Sequence, residues 1–264
     1  MSDETAPVIR VVDLETTGAK PGADAVVEIG WQDVVRRDGA WAIGPERGAR
    51  FVDPERPIPA RTQAVHHILD ADVAGAGPWL DVAPDILRPR APRLLALAAH
   101  RAAFEQRWCR RALTGTVPWI CTYKCALRLW PDEPSHANQS LRYARKPEGL
   151  DRAAGLPAHR AGPDAYVSAH LLRELLREAA PETLIAWSRE PALLPRVTFG
   201  EYRGWRWDAM SDAFLAEVLA RGGFDRDIRF TARRAQADRR SRLLEATGQG
   251  APALGEPARA AGGG

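Results

Sequence analysis

Apolar runs rich in β-branched residues recur through the chain and predict the strands of a sheet. The run Val-Ile-Arg-Val-Val at residues 8–12 is bounded by Pro7 and Gly18, which are typical residues at strand boundaries. Further along, Gly39 and Gly44 indicate a turn between two other runs. The pattern predicts three successive antiparallel strands and then two strands that each lead into a helix, at residues 8–14, 25–35, 50–52, 94–99 and 119–122.

Helical periodicity replaces this pattern from residue 165 to residue 179. The spacing predicts a helix from Asp164 to about Glu178 that buries one apolar face, formed by Val167, Leu171, Leu172 and Leu175. Residues 131–162 are polar and rich in proline, and they are expected to form loops. The predicted fold class is α/β, a mixed five-stranded sheet flanked by helices.

Changes in composition divide the chain into a large domain, a small domain and a tail. Pro191 and Pro195 interrupt the helical pattern, which places a linker at residues 188–195 after a domain of residues 1–187. Residues 196–242 contain enough apolar side chains for a compact helical domain with a thin core. Residues 243–264 consist largely of Gly, Ala and Pro and are expected to be disordered.

Two acids close the first strand, in the segment Asp13-Leu14-Glu15. Side chains alternate along a strand, so Asp13 and Glu15 point to one face while Leu14 points to the core. Positions two apart are about 6.5 Å apart, so both acids can converge on one divalent ion or on a pair of ions. The alternative is that the acids form a solvated rim at the end of the strand.

Further acids follow two later elements of the predicted fold. Glu105 lies in a segment, residues 100–105, that is expected to open a helix after the fourth strand. His159 precedes Asp164 by five positions, across a loop that contains Gly162 and Pro163. Asp164 falls in a first helical turn, where the helix dipole stabilises a negative charge. A loop histidine by itself is more often a surface or capping residue.

The order of these acids and of His159 resembles the DEDDh family of 3′→5′ exonucleases, which have an RNase H-like fold. The resemblance implies that Asp13, Glu15, Glu105 and Asp164 hold two divalent ions. Mg²⁺ or Mn²⁺ is expected because hard oxygen ligands suit hard cations. It also implies that His159 is the general base, since an imidazole with a pKa of about 6.5 accepts a proton near neutral pH.

Other blocks of sequence resemble the exodeoxyribonuclease X subfamily. They include Thr-Gln-Ala-Val-His at residues 62–66 and Phe-Gly-Glu-Tyr-Arg-Gly at residues 199–204. The resemblance implies hydrolysis of DNA from 3′ ends, with single-stranded ends expected, in DNA repair or proofreading. It also implies a set of nucleic-acid contacts at Leu14, Thr16, Gly18, His66, Phe104, Tyr202 and Arg203. Phe104 is alternatively a core aromatic, and the role of His66 is open.

One position departs from the family pattern. The second motif of the family usually ends in aspartate, with asparagine four residues earlier, whereas this chain has Glu105 and Arg101. Glutamate preserves the charge but reaches one methylene further, which displaces a metal ion or a ligating water. A weakened, nucleic-acid-binding relic is therefore an alternative to an active enzyme. An exoribonuclease of the same fold is the other, because nothing in the motifs distinguishes DNA from RNA.

Composition permits these interpretations without deciding among them. The net charge is +3 over 264 residues, and the abundance of arginine over lysine is typical of a GC-rich genome. Arginine richness is thus weak support for nucleic-acid binding. Six arginines between residues 229 and 242 either contact phosphates or form a solvated face. The nearby aromatics either bind a nucleic acid or form a small core, and the nearby glycines either belong to that binding segment or shape a turn.

The location and redox state are also expectations from composition. No apolar run approaches the roughly 20 residues that span a bilayer, and the first residues do not have the pattern of a signal peptide. A soluble, cytoplasmic protein without membrane contact is expected. Cys109, Cys121 and Cys125 are odd in number and lack zinc-site spacing, so reduced thiols are expected. The oligomeric state stays open.

Overall fold

The computed structural model describes residues 6–90 and 94–246. The chain divides into two compact units, Met1–Ala192 and Leu193–Gly264. The described part of the second unit ends in a helix that reaches Ala246, so residues 243–246 are helical rather than disordered as predicted. The rest of the predicted disordered tail, residues 247–264, lies outside the described residues.

The first unit is built on a mixed sheet. Within the described residues, the sheet has five strands in the order β3-β2-β1-β4-β5. The first three strands pair antiparallel, as the sequence predicts, and β4 and β5 continue the sheet in parallel, which makes the sheet mixed. The strands are β1 (Val8–Thr16), β2 (Val26–Arg37), β3 (Ala40–Phe51), β4 (Leu94–Ala99) and β5 (Trp119–Cys121).

Helices cover both faces of this sheet. Helix α8, the longest of the first unit, packs across β1, β2 and β3, and its predicted apolar face is fully buried. The helices of the first unit are α1 (Ala60–His66), α2 (Asp70–Val73), α3 (Trp79–Leu87), α4 (Glu105–Trp108), α5 (Arg111–Thr114), α6 (Thr122–Leu129), α7 (Asn138–Arg145), α8 (Ala161–Glu178) and α9 (Pro181–Arg189).

Alternation along β1 divides the core into two clusters. Ile9 and Val11 lie in one cluster with Val167 and Leu171 of α8. Val12, Leu14 and other residues of the opposite face lie in a second cluster with Ile86 of α3. The strand therefore has an α8 face and an α3 face, and its side chains alternate between them.

The second unit is small and helical. A 3₁₀ turn at Trp207–Ala209 precedes α10 (Asp212–Ala220) and α11 (Arg226–Ala246). Its core includes Trp207, Met210 and Leu215, with Phe199 and Tyr202 packed against them. Among the helices of residues 6–90 and 94–246, none combines the length and the apolar character that crossing a membrane requires.

Three local predictions were wrong. Strand β3 begins at Ala40 and runs through Gly44, so only Gly39, with φ of 82°, lies in the turn. Residues 100–104 form turns rather than the start of a helix. The helix begins at Glu105 and has one turn. The polar region 131–162 is not all loop, since it contains α7.

Candidate metal site and nucleic-acid-binding residues

The two acids of β1 lie on its α8 face. Asp13 and Glu15 lie on the same side of the strand as Val11, which packs in the α8-face cluster. Leu14 lies on the other side, in the α3-face cluster, and its side chain is 5% exposed. Both carboxylates are partly buried at the end of the strand. The structure therefore gives Leu14 a packing role, and its contact with nucleic acid stays a prediction.

Helix α8 brings a third carboxylate to this pair. Its first turn lies so close to β2 that a Cβ atom at Gly30 would be 2.1 Å from the carbonyl carbon of Ala161. Gly30 is also the cross-strand partner of Asp13. As a result, Asp13, Glu15 and Asp164 each offer a carboxylate oxygen within 4.8 Å of the others.

Hydrogen bonds hold the Asp164 carboxylate in place. One oxygen accepts from the side chain of Gln139 on α7 at 2.7 Å, and the other accepts from the backbone N–H of His159 at 2.7 Å. Burial nevertheless raises the pKa of Asp164, while these hydrogen bonds act in the opposite direction. Both donors are neutral, so they orient the carboxylate without supplying a balancing charge.

The electrostatics of the three carboxylates favour a bound cation. Burial, followed by the charges of Glu105 and Asp164, raises the pKa of Asp13 well above its usual value. Burial and then the charge of Asp164 raise the pKa of Glu15 to about 8. Ionised carboxylates crowded in this way repel one another unless a cation lies between them. Their oxygen atoms are the donors that Mg²⁺ and Mn²⁺ prefer, so the site fits such an ion.

Glu105 lies beside the three carboxylates but is not part of their 4.8 Å group. Its side chain is 3% exposed, and its Oε2 atom has no hydrogen-bond partner within the described residues. Burial raises the pKa of Glu105 to about 8, and the charge of Glu15 acts in the same direction. A buried carboxylate oxygen without a donor is costly, which is consistent with a ligand to a cation.

The predicted general base lies on the loop before α8. His159 has φ of 60° and an exposed side chain, and its backbone N–H is the donor to Asp164 described above. The ring is therefore free of the packed interior while its backbone is fixed to the acidic site. Its role as the base stays a prediction.

The predicted contacts with the terminal nucleotide surround the end of β1. The Thr16 hydroxyl donates to the carbonyl of Gly18 at 2.6 Å. A Cβ atom at Gly18 would lie 2.5 Å from the Asp24 carboxylate, so a larger residue there would displace that side chain. His66 is buried at the end of α1; its Nδ1 accepts from the N–H of Ile68 at 3.0 Å, and burial lowers its pKa.

The predicted aromatic and basic contacts differ in exposure. Phe104 is half-buried against the α3-face cluster, 6.0 Å from the guanidinium carbon of Arg107. Tyr202 is also half-buried, with its ring 5.0 Å from that of Phe214 in the core of the second unit. Arg203 is exposed. The exposed aromatic near these residues is Trp205, whose side chain is 56% exposed. Trp205 was not among the nucleic-acid contacts predicted from the sequence.

The sequence interpretation missed a partly buried ion pair next to the carboxylates. Glu28 of β2 is the cross-strand partner of Glu15, and it accepts two hydrogen bonds from Arg160, at 3.0 and 2.6 Å. Gln139, the donor to Asp164, was missed as well. These residues are far apart in sequence, so periodicity gives no signal for them. The position of Arg160 directly after His159 was the one sign in the sequence that Arg160 lies close to the site.

A comparison with protein families identifies this arrangement. A family model described as Exonuclease matches residues 11–172, which contain the acids of β1, Glu105, His159 and Asp164. The chain belongs to this exonuclease family. It is also 34% identical over 202 residues to Exodeoxyribonuclease 10 of Escherichia coli strain K12, covering 75% of this chain and 82% of that protein.

Solved structures agree with the assignment. Exonuclease X in complex with 5′-overhanging duplex DNA is similar with a TM-score of 0.57 and 31% identity, covering 68% of this chain and 99% of that one. Escherichia coli Exonuclease I bound to an oligonucleotide has a TM-score of 0.52 at 15% identity, covering 67% of this chain and 42% of that one, a likeness of fold. The predicted family and fold class are confirmed.

Proposed function

We propose that this exonuclease depends on divalent metal ions and hydrolyses DNA from its 3′ ends, releasing nucleoside monophosphates. The observation that carries the proposal is the meeting of three carboxylates from β1 and α8 within 4.8 Å, with His159 five positions before the last of them. The DNA substrate is supported by the similarity to Exodeoxyribonuclease 10 and to Exonuclease X in complex with DNA.

Asp13, Glu15 and Asp164 would hold two ions, Mg²⁺ or Mn²⁺, together with Glu105. When bound, such ions lower the pKa of a water molecule and stabilise charge on the leaving 3′ oxygen. The task of the chain is to keep four carboxylates close together in spite of their mutual repulsion. Burial on the sheet, the Gly30 contact and the hydrogen bonds to Asp164 perform that task.

His159 would take the proton from the attacking water. As a residue with an exposed imidazole, His159 can present a ring nitrogen to a water molecule beside the carboxylates. Its backbone N–H is tied to Asp164 at 2.7 Å, which keeps the loop beside the carboxylates while the ring is free to move. The proton would then pass to solvent, to which the side chain is open.

The terminal nucleotide would lie against the end of β1. Thr16 and the backbone at Gly18 are close to the acids and can contact the terminal 3′ hydroxyl, with His66 beside them. Leu14 and Phe104 would line the base. We further propose that single-stranded ends are preferred, because the scissile bond must pass the carboxylates in an extended and unpaired form.

The second unit would add affinity for the nucleic acid rather than catalysis. Arg203 is exposed beside Tyr202, and Trp205 offers an exposed ring on which a base can stack. Tyr202 itself packs against the core and is half-buried, which leaves only part of its ring for contact. Arg233 and Arg240 of α11 are exposed and line one groove with Gln236.

Matched oligonucleotides test the substrate. DNA and RNA of one sequence, each labelled at the 5′ end, are incubated with the full chain and Mn²⁺ as single strands and as duplexes with a 5′ overhang. We expect a ladder of shortened DNA fragments, formed fastest from the single strand. Faster digestion of RNA would instead assign an exoribonuclease, and a sequence without thymine or uracil leaves the 2′ hydroxyl as the difference between the strands.

A blocked end tests the direction. DNA that carries a 3′ phosphorothioate linkage at its last bond should resist digestion, whereas the same linkage at the 5′ end should have no effect. Equal protection by both blocks would contradict 3′→5′ polarity. No shortening of any strand with either metal ion would favour the alternative of a binding module weakened by Glu105.

A further inference from the structure

The loop before α8 is fixed to the sheet by one buried carboxylate. Glu28 of β2 has a side chain that is 3% exposed, and it accepts three hydrogen bonds from residues 160 and 161. Two come from the guanidinium of Arg160, at 3.0 and 2.6 Å, and one comes from the backbone N–H of Ala161, at 2.9 Å. The last of these satisfies a free N–H group at the start of α8.

Arg160 lies between the predicted general base and one of the predicted metal ligands. His159 precedes it, and Asp164 follows in the first turn of α8. The His159 N–H is bound to Asp164, so the backbone is held on both sides of Arg160. The guanidinium also lies 5.5 Å from the ring centre of Phe51 on β3, which further restricts its position.

The same ion pair controls charge beside the carboxylates. Glu28 is directly opposite Glu15 in the β1–β2 pair, and like charges at such positions repel each other. Arg160 neutralises Glu28 through a two-pronged contact, which lysine cannot reproduce. Without Arg160, Glu28 would add its charge to the site; without Glu28, the positive charge of Arg160 would be left beside Glu15.

We propose that Glu28 and Arg160 are positioning residues for the reaction, which fix the loop that carries His159 and balance the charge beside Glu15. The inference rests on the proposed function, because the reaction is measured on DNA. Glu28 and Arg160 act through His159, Asp164 and the carboxylate pair of β1, and they need no contact with the scissile phosphate.

Charge and position can be separated with a small set of variants of the full chain. Glu28→Gln leaves Arg160 uncompensated, Arg160→Gln leaves Glu28 uncompensated, and the double variant removes both charges. The matched control is Asp33→Asn, which breaks another bidentate pair between β1 and β2, with Arg10 at 2.7 and 2.8 Å. That pair lies on the α3 face, where Arg10 also donates to the Ile86 carbonyl.

The kinetic result expected is a fall in kcat without a matching rise in KM. A displacement of catalytic groups by about 1 Å can cost about 100-fold in rate, so Glu28→Gln and the double variant should lose about that factor on single-stranded DNA. The KM for DNA should change by less than about threefold, because substrate contacts are intact. Asp33→Asn should lower the unfolding temperature and retain kcat.

Mn²⁺ binding without DNA gives the second readout. Glu28→Gln should weaken Mn²⁺ binding severalfold, and Arg160→Gln should not weaken it, whereas the double variant should return to within about twofold of the wild type. Arg160→Lys, which keeps the charge but not the two-pronged contact, should bind Mn²⁺ normally and still lose kcat. A purely structural role would shift all of these variants in one direction.

Several outcomes would overturn the inference. One is a folded Glu28→Gln variant with the wild-type kcat, and another is a loss of kcat in all variants, Asp33→Asn included, in proportion to the decrease in stability. If Arg160→Gln weakens Mn²⁺ binding as much as Glu28→Gln does, the claim that the pair balances charge beside Glu15 is wrong. A wild-type protein that digests no DNA would contradict the proposed function instead, and the Mn²⁺ titrations would still test the charge balance.

Discussion

Glu105 occupies the position at which the sequence resemblance to the family predicts an aspartate. Its carboxylate is buried, and Oε2 has no hydrogen-bond partner within residues 6–90 and 94–246. Its charge adds to that of Asp13 and Glu15, which also have raised pKa values. A cation shared by these groups would remove the cost of burying Glu105 in an ionised form.

Substitution of Glu105 tests whether the longer acid serves as a ligand. Glu105→Ala should reduce kcat on DNA by more than about 100-fold, since loss of even the outer partners of a bound metal costs about 10- to 100-fold. Glu105→Asp should keep or raise activity, because the shorter acid matches the usual position of the family. Asp85→Ala, at an exposed acid of α3, is the control and should be neutral. Full activity in Glu105→Ala would reject the assignment.

The raised pKa values predict how stability depends on pH. Burial raises the pKa of Glu105 from 4.5 to about 8, so between these values the folded protein holds a proton that the unfolded chain has released. In a chelator, the contribution of Glu105 to the free energy of unfolding should therefore fall as pH rises from about 4.5 to 8 and change little above that range. Urea denaturation at intervals between pH 5 and pH 9 measures this fall.

The contribution of Glu105 is isolated by comparison with Glu105→Gln. The difference in the free energy of unfolding between this variant and the wild type should grow towards pH 8, in favour of the variant. Mn²⁺ should raise the stability of the wild type most at high pH, where the carboxylates are ionised. A wild type that gains stability relative to Glu105→Gln between pH 5 and pH 8 in chelator would contradict the burial argument.

At the scale of elements, the site depends on how closely α8 approaches β2. Gly30→Ala would place a Cβ atom 2.1 Å from the Ala161 backbone, and backbone cannot rotate away as a side chain can. The first turn of α8 should shift, which should cost about 1–3 kcal/mol in stability and about 100-fold in kcat. Gly222→Ala, where nothing lies within 4 Å, is the control. A fully active Gly30→Ala variant would show that the contact does not set the geometry.

Elements with strong periodicity were predictable from the sequence. The β-branched run of β1 and the apolar face of α8 are buried as expected, because burial of those side chains determines both elements. Strand β3 was predicted over its last residues alone, because its side chains are largely exposed and a polar edge strand lacks alternation. Helix α7 was missed because it buries little beyond Leu141 and Arg142.

Within the site, the signal was local for some residues and absent for others. Asp13 and Glu15 were apparent from a two-residue spacing on one strand, and His159 and Asp164 from a five-residue offset. Glu28 and Arg160 are 132 positions apart, and their contact exists because the antiparallel pair and α8 bring them together. No pattern within a single element could reveal that partnership.

At the scale of the whole molecule, the chain combines an exonuclease unit with a small helical unit rich in arginine. If the second unit contacts phosphates, Arg233→Gln/Arg240→Gln should weaken DNA binding and reduce the salt dependence of affinity. The slope of the logarithm of affinity against the logarithm of salt concentration should change by roughly 0.7 for each phosphate of a single strand that the variant no longer neutralises. The kcat should be unchanged, because neither residue belongs to the acidic site.

Removal of two exposed arginines from the first unit, Arg36→Gln/Arg90→Gln, is the matched control and should alter binding less. Binding is measured by fluorescence anisotropy of a labelled oligonucleotide across a series of salt concentrations. An affinity and slope equal to those of the wild type in Arg233→Gln/Arg240→Gln would assign these arginines to a solvated face instead.

The central claim is that the carboxylates of β1 and α8 form one metal-dependent catalytic site. The most direct measurement is the release of nucleoside monophosphates from a single-stranded DNA by the wild type and by Asp13→Asn, each with Mg²⁺ or with chelator. The account predicts steady release by the wild type with Mg²⁺, none with chelator, and a loss of more than about 100-fold in Asp13→Asn. Equal release by Asp13→Asn, or undiminished release in chelator, would contradict it.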